Sequence, residues 1–154
     1  MQISILFGTE TGNAEMLAED LELSLQDDHD VECHNMIAVD PGDLNSERFY
    51  LVICSTYGDG EMPFSAKPFV EKLEAEKPDL SGLRFAMFGL GDMVYEETFN
   101  FAPIGLAKLF KELGATQVGD QVAHDASGPD LAEDMIVPWA ESILAAVNKS
   151  SEAA

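Results

Sequence analysis

The chain opens on a short apolar run, Ile3-Ser4-Ile5-Leu6-Phe7, that stops at Gly8. Beyond it Ala14, Leu17, Ala18, Leu21 and Leu25 recur at helical spacing, while Glu15, Glu19, Asp20 and Glu22 point elsewhere. A strand leading into an amphipathic helix is predicted. Val31 to Met36 predicts a second strand, polar enough to belong at a sheet edge. Tyr50-Leu51-Val52-Ile53-Cys54 is unbroken apolar sequence, the pattern of a strand covered on both faces. Ala66, Phe69, Val70 and Leu73 predict a helix ending near Pro78, and Phe85-Ala86-Met87-Phe88 another buried strand. Ile104, Ala107, Phe110 and Leu113 predict a helix closed by Gly114, and a weaker strand is expected between Thr116 and Val122. The last helix is carried by Leu131, Met135, Ile136, Trp139, Ile143 and Val147, with Pro138 as the point of a kink or restart.

Five strands alternating with helices predict an α/β fold, a doubly wound parallel sheet with helices on both faces. No repeat or linker divides the chain, so residues 1–148 are expected to form one domain and 149–154 a flexible tail. Ligands of such sheets sit beyond the carboxyl ends of the strands, near a switch in strand order. The loops after the first, third and fourth strands are therefore the places to look for chemistry.

The first loop reads Gly8-Thr9-Glu10-Thr11-Gly12-Asn13-Ala14-Glu15. It joins a strand to a helix, so N–H groups at the helix start face outward unpaired. A phosphate placed there gains N–H and O–H donors and the favourable end of the helix dipole. The same residues would also serve a Thr-capped turn. No Lys follows the glycine, and the dinucleotide G-x-G-x-x-G spacing is absent. The second loop, Ser55-Thr56-Tyr57-Gly58-Asp59-Gly60-Glu61-Met62-Pro63, sets a Tyr among glycines. The third, Gly89-Leu90-Gly91-Asp92-Met93-Val94-Tyr95 and on to Asn100, does so again. Singly, each reads as a Gly-rich surface turn. Together, two Tyr planes at neighbouring strand ends could sandwich a planar ring, at about 0.5–1.5 kcal/mol per stacked pair beyond area burial.

Charge narrows the partners. The 154 residues carry 29 Asp and Glu against 8 Lys and Arg, a net charge of −21. Nucleic acid and anionic membranes repel such a molecule, whereas a basic protein is steered towards it. The acidity could also serve solubility alone. Cys33 and Cys54 lie far apart in apolar segments, a pattern of core thiols and not of a disulfide framework or metal site. No leader or membrane span is read at either end, so a cytoplasmic monomer is expected. His29, His34 and His124 fall outside the three loops and are expected at the surface.

The wording of the loops resembles the flavodoxin family, and within it the FMN domains of diflavin reductases such as cytochrome P450 reductase. The resemblance extends over nearly the whole chain with the motifs in order, and the length suits the short-chain subgroup. It implies a five-stranded sheet of order 2-1-3-4-5 and one bound FMN. It places Thr9, Glu10, Thr11, Gly12, Asn13 and Ala14 around the phosphate, with Ala14 standing where many flavodoxins have Thr. Thr56, Tyr57, Gly58 and Gly60 would line one side of the flavin, and Tyr95 would stack on the other. Gly89, Gly91, Asp92 and Asn100 would complete the ring-edge and ribityl contacts, with Asp125 as a further acid nearby. The carbonyl of Gly58 is the candidate to turn towards the reduced N5–H, since glycine tolerates that change of backbone at least cost. Asp59, Glu61, Asp92, Glu96 and Glu97 would raise the energy of an anionic reduced flavin by repulsion.

The function implied is one-electron carriage from a basic-surfaced reductase to an acceptor protein, a haem monooxygenase such as a P450 being a candidate, and not enzymatic turnover. The alternative is an FMN-dependent NAD(P)H:quinone reductase, which could use the same loops but lacks a nicotinamide fingerprint here. A phosphorylated receiver domain shares the architecture, yet the third strand ends in Cys54-Ser55-Thr56 and the fifth offers no Lys. An FMN-free interaction module is the remaining reading.

Overall fold

The computed structural model describes residues 2–9, 12–44, 47–55, 62–91, 101–119, 122–125 and 132–153. In chain order these form β1 (Gln2–Gly8), α1 (Asn13–Leu25), β2 (Asp30–Asn35), two single turns of 3-10 helix, β3 (Phe49–Ser55), α2 (Lys67–Glu76), β4 (Arg84–Gly91), α3 (Phe101–Glu112), β5 (Thr116–Gln117), β6 (Val122–Asp125) and α4 (Ala132–Ala153). The strands lie in the order β2-β1-β3-β4-β5, with β6 also on β4, and every pairing is parallel. This is the doubly wound five-position sheet of order 2-1-3-4-5.

Strict alternation explains why the central strands read as unbroken apolar runs. Ile3, Ile5 and Phe7 on β1, Phe49, Leu51 and Ile53 on β3, and Ala86, Phe88 and Leu90 on β4 face one core with α1 and α4. Leu6, Tyr50, Val52, Cys54, Phe85 and Met87 face the other with α2 and α3. Both sides of each strand are dry, so neither parity can be polar. Truncating a side chain as buried as Leu51, which is 0% exposed, costs about 2–5 kcal/mol. The edge position of β2 follows the expectation: among the described residues it pairs only with β1, and its exposed residues Asp30 and Glu32 charge the free edge.

Parallel neighbours require crossovers, and these are right-handed. The chain steps from β1 to β2 in one direction and from β3 to β4 and β5 in the other. Helix α1 therefore lies on one face and α2 and α3 on the opposite one, and between β1 and β3 the two paths diverge. That is the switch point.

Several expectations need correction. The fifth strand is two short pieces, and the interruption contains Gly119 at φ 72, a backbone no ladder accommodates. Ile104 is 50% exposed, and the buried face of α3 is Leu106, Ala107 and Phe110. His124 is 9% exposed, not a surface residue, because β6 brings it beside Leu90. Pro138 sits inside a continuous α4. Helical backbone runs to Ala153, into the stretch expected to form a tail. Among the described residues no helix is long and apolar enough to cross a membrane.

At the amino edge Arg48 ties three strands. Its guanidinium donates to Ser4 Oγ at 2.7 Å, to the Ile3 carbonyl at 2.7 Å and to the Asp30 carbonyl at 3.2 Å. Asp30 and Glu32 lie 3.9 and 3.8 Å away but are exposed and contribute little. Removing the charged donor leaves Ser4, 3% exposed, without its partner. Arg48→Ala should therefore lower the unfolding free energy by about 2 kcal/mol in urea melts, with the carboxyl edge unaffected.

The thiols give a pH dependence. Burial pushes Cys54 up to about 12. Burial first, and then the carboxylates of Glu22, Glu19 and Glu15, push Cys33 up to about 12. Both stay neutral in the fold while the unfolded chain ionises near 9.0. The stability they contribute is complete below pH 9 and is lost as pH climbs towards 12. Urea melts across that window should show it, with a shallower decline in Cys33→Ser.

Candidate functional site

Gly8, Cys54, Gly89 and Ala123 are aligned across four neighbouring strands, and β1, β3, β4 and β6 all end within two residues of that line. Gly8 is pressed against the opposite layer: a Cβ there would lie 2.9 Å from Ala66 Cβ and 3.2 Å from Met36 Sδ. Only hydrogen fits, and the first loop is thereby seated directly against the start of α2.

Beyond Gly8 the chain is held by paired bonds. The Thr9 N–H donates to Ser65 Oγ at 2.8 Å, and the Ser65 N–H donates to the Thr9 carbonyl at 3.2 Å. Thr9 Oγ1 then accepts the Gly12 N–H at 2.8 Å, which closes the turn. Ser55 Oγ donates to the Gly8 carbonyl at 3.3 Å, joining β3 to the same corner. Gly12 sits at φ 99 and ψ −4, the left-handed region, and precedes α1.

This geometry suits an anion. Gly12 brings no side-chain oxygen to the first turn of α1, whose N–H groups have no partner within the helix. Among the described residues, a Cβ at Gly12 would meet nothing within 4 Å. The Thr9 hydroxyl, accepting from Gly12, keeps its own proton to donate. Helix α1 carries no basic residue, so an anion here is held by N–H groups, hydroxyl and helix dipole.

Of the expected site residues, Thr9, Gly12, Asn13, Ala14, Gly89, Gly91 and Asp125 fall in the described structure, all at the carboxyl edge. Thr9, Gly12, Asn13 and Ala14 are brought together at the first turn, with Ala14 buried beneath it. Gly91 and Asp125 are register partners at the ends of β4 and β6. Glu10, Thr11, Thr56, Tyr57, Gly58, Gly60, Asp92, Tyr95 and Asn100 lie outside the described residues. Sequence reasoning missed Ser65. Its signal was a Ser one residue ahead of the periodic run that starts at Ala66, the place of a capping hydroxyl. A groove of about 670 Å³ between α2 and α3, bordered by Val70, Lys77, Gly105 and Lys108, is a separate feature and includes none of the expected site residues.

Comparison with known proteins agrees. The flavodoxin family model matches residues 5–139, and the chain belongs to the flavodoxin family. It is 34% identical over 137 residues to Protein MioC of Escherichia coli O157:H7, spanning 89% of this chain and 92% of that one. It is 35% identical over 159 aligned positions to NADPH-dependent diflavin oxidoreductase 1 of Schizosaccharomyces pombe, covering 99% of this chain but only 27% of that much longer protein. The solved structure of a point mutant of flavodoxin from Pseudomonas aeruginosa superposes with a TM-score of 0.83 at 28% identity, covering 96% of this chain and 99% of that one. The protein is accordingly an FMN-binding electron-transfer protein of that family.

Among the described residues, the first turn of α1 offers what the phosphate end of FMN needs: N–H groups with no side-chain cap and one hydroxyl. Gly12→Ala would place a Cβ in the left-handed region, at about 1–2 kcal/mol. FMN affinity should fall by roughly tenfold by flavin fluorescence, with the sheet intact by circular dichroism.

Proposed function

We propose that this chain carries single electrons from a reductase to an acceptor protein, docking both through an acidic surface beside the flavin, and that a haem monooxygenase such as a P450 is one such acceptor. The bound FMN supplies the redox chemistry, and the protein sets its access and potentials. Thr9, Glu10, Thr11, Gly12, Asn13 and Ala14 hold the phosphate on this reading. Thr56, Tyr57, Gly58, Gly60 and Tyr95 enclose the ring, and Gly89, Gly91, Asp92, Asn100 and Asp125 complete the edge.

The observation that supports docking is the charge of α1. Exposed Glu15, Glu19 and Asp20 share a helix that has no Lys or Arg, and its first turn is the phosphate end of the site. Exposed apolar side chains stand on both sides of the same corner: Met16 at 57% and Phe64 at 62%. Apolar points within a charged rim are the make-up of a transient protein interface. A basic partner is steered to it, raising on-rates by about 10–1000-fold at low salt.

Two measurements test this. Anaerobic reduction of the FMN-loaded protein with dithionite should pass through a blue, long-wavelength-absorbing stage. Bleaching in a single two-electron step, together with NAD(P)H-driven quinone turnover in the absence of any reductase, would reject the carrier reading. Electron transfer to a basic c-type cytochrome should slow as salt rises, because exposed charges are screened within about 8 Å at physiological ionic strength. Salt-independent rates would remove the docking surface.

A further inference from the structure

We infer that Ser65 is a positioning residue for the flavin phosphate, although it lies on the far side of the sheet's switch point from the helix that meets that phosphate. The inference rests on the phosphate being held at Thr9 to Ala14.

Ser65 stands just before α2, is 3% exposed, and belongs to none of the three loops singled out from sequence. Its hydroxyl accepts the Thr9 N–H at 2.8 Å, and its own N–H reaches the Thr9 carbonyl at 3.2 Å. Both backbone groups of one loop residue are thus satisfied by one serine 56 positions away. The clasp is relayed: Thr9 Oγ1 holds the Gly12 N–H at 2.8 Å, and Gly12 sets the direction in which α1 begins. Fixing Thr9 at both ends therefore fixes where its hydroxyl and the first-turn N–H groups point.

The need for such a clasp follows from the loop itself. Thr9 and Gly12 lie between β1 and α1, in neither element, and a glycine left to itself samples many conformations. A site assembled from backbone donors binds well only if those donors are already aimed, since otherwise their ordering is charged against binding. Ser65 anchors them from a buried segment. The adjacent Ala66 is 0% exposed, and its Cβ is what Gly8 packs against.

Ser65→Ala removes the acceptor and leaves a buried N–H unpaired while changing volume little. The test compares FMN with riboflavin, which has the same ring and ribityl chain but no phosphate, in titrations of the apoprotein followed by flavin fluorescence. The variant should bind FMN roughly tenfold more weakly than wild type and riboflavin equally well. Equal loss for both ligands would mean a general structural role, and unchanged FMN affinity would mean no role; either result overturns the inference. Should the wild-type protein itself take up no FMN, the failure belongs to the proposed phosphate site and not to Ser65.

Discussion

The structure depends on a sheet that must be dry on both faces. A parallel ladder leaves no solvated side, so each central strand donates odd residues to one core and even residues to the other. Polar groups and irregular backbone are then confined to the two edges where strands begin and end. At the amino edge this permits the guanidinium of Arg48, whose Nε and Nη2 donors are matched by Ser4 and by the Ile3 and Asp30 carbonyls. At the carboxyl edge it concentrates every loop able to meet a ligand. Divergence of the helices at β1 and β3 opens the crevice there, so the site's position is a consequence of packing before any residue in it is chosen.

Within that crevice the first loop illustrates how a covered sheet can carry a binding site. Gly8 has no room for a side chain because Ala66 and Met36 occupy it. That close approach brings the start of α2 within bonding distance of Thr9, and Ser65 uses it. The core contact and the polar clasp are neighbours in sequence, Ser65 and Ala66, and act on neighbouring residues, Thr9 and Gly8. Packing thus sets the register and hydrogen bonding sets the direction. A loop held in this way needs no lysine to be ready for an anion.

The parts of this arrangement written in local pattern were legible before the fold was seen. The period of α1, the unbroken runs of β3 and β4, the polar edge strand and the glycines at strand ends each follow from a repeat a few residues long. Contacts between distant segments were not. Ser65 is 56 residues from the atom it serves, and only a capping position hinted at it. His124 reads as polar and superficial, yet pairing of β6 with β4 places it beside Leu90. Ile104 keeps the helical period of its neighbours but falls on the rim of α3's buried face. The break at Gly119 depends on one dihedral angle, which composition does not encode. The flavin loops were legible by resemblance, and most of their side chains lie outside the described residues.

Charge adds a direction to the site. A net −21 opposes compaction by self-repulsion, so dense acidity in one region is a cost the two cores must offset. That cost is unevenly placed. Lys67, Lys72, Lys108 and Lys111 lie on α2 and α3 among Glu71, Glu74, Glu76 and Glu112, with Lys77 capping α2, whereas the charged residues of α1 are all acids. Of these three helices α1 is therefore the most negative. On the proposed reading, a basic partner is drawn to the α1 side, next to the turn that follows β1. The same right-handed crossovers that divide the helices between two faces thus also set the all-acidic α1 opposite the mixed-charge α2 and α3.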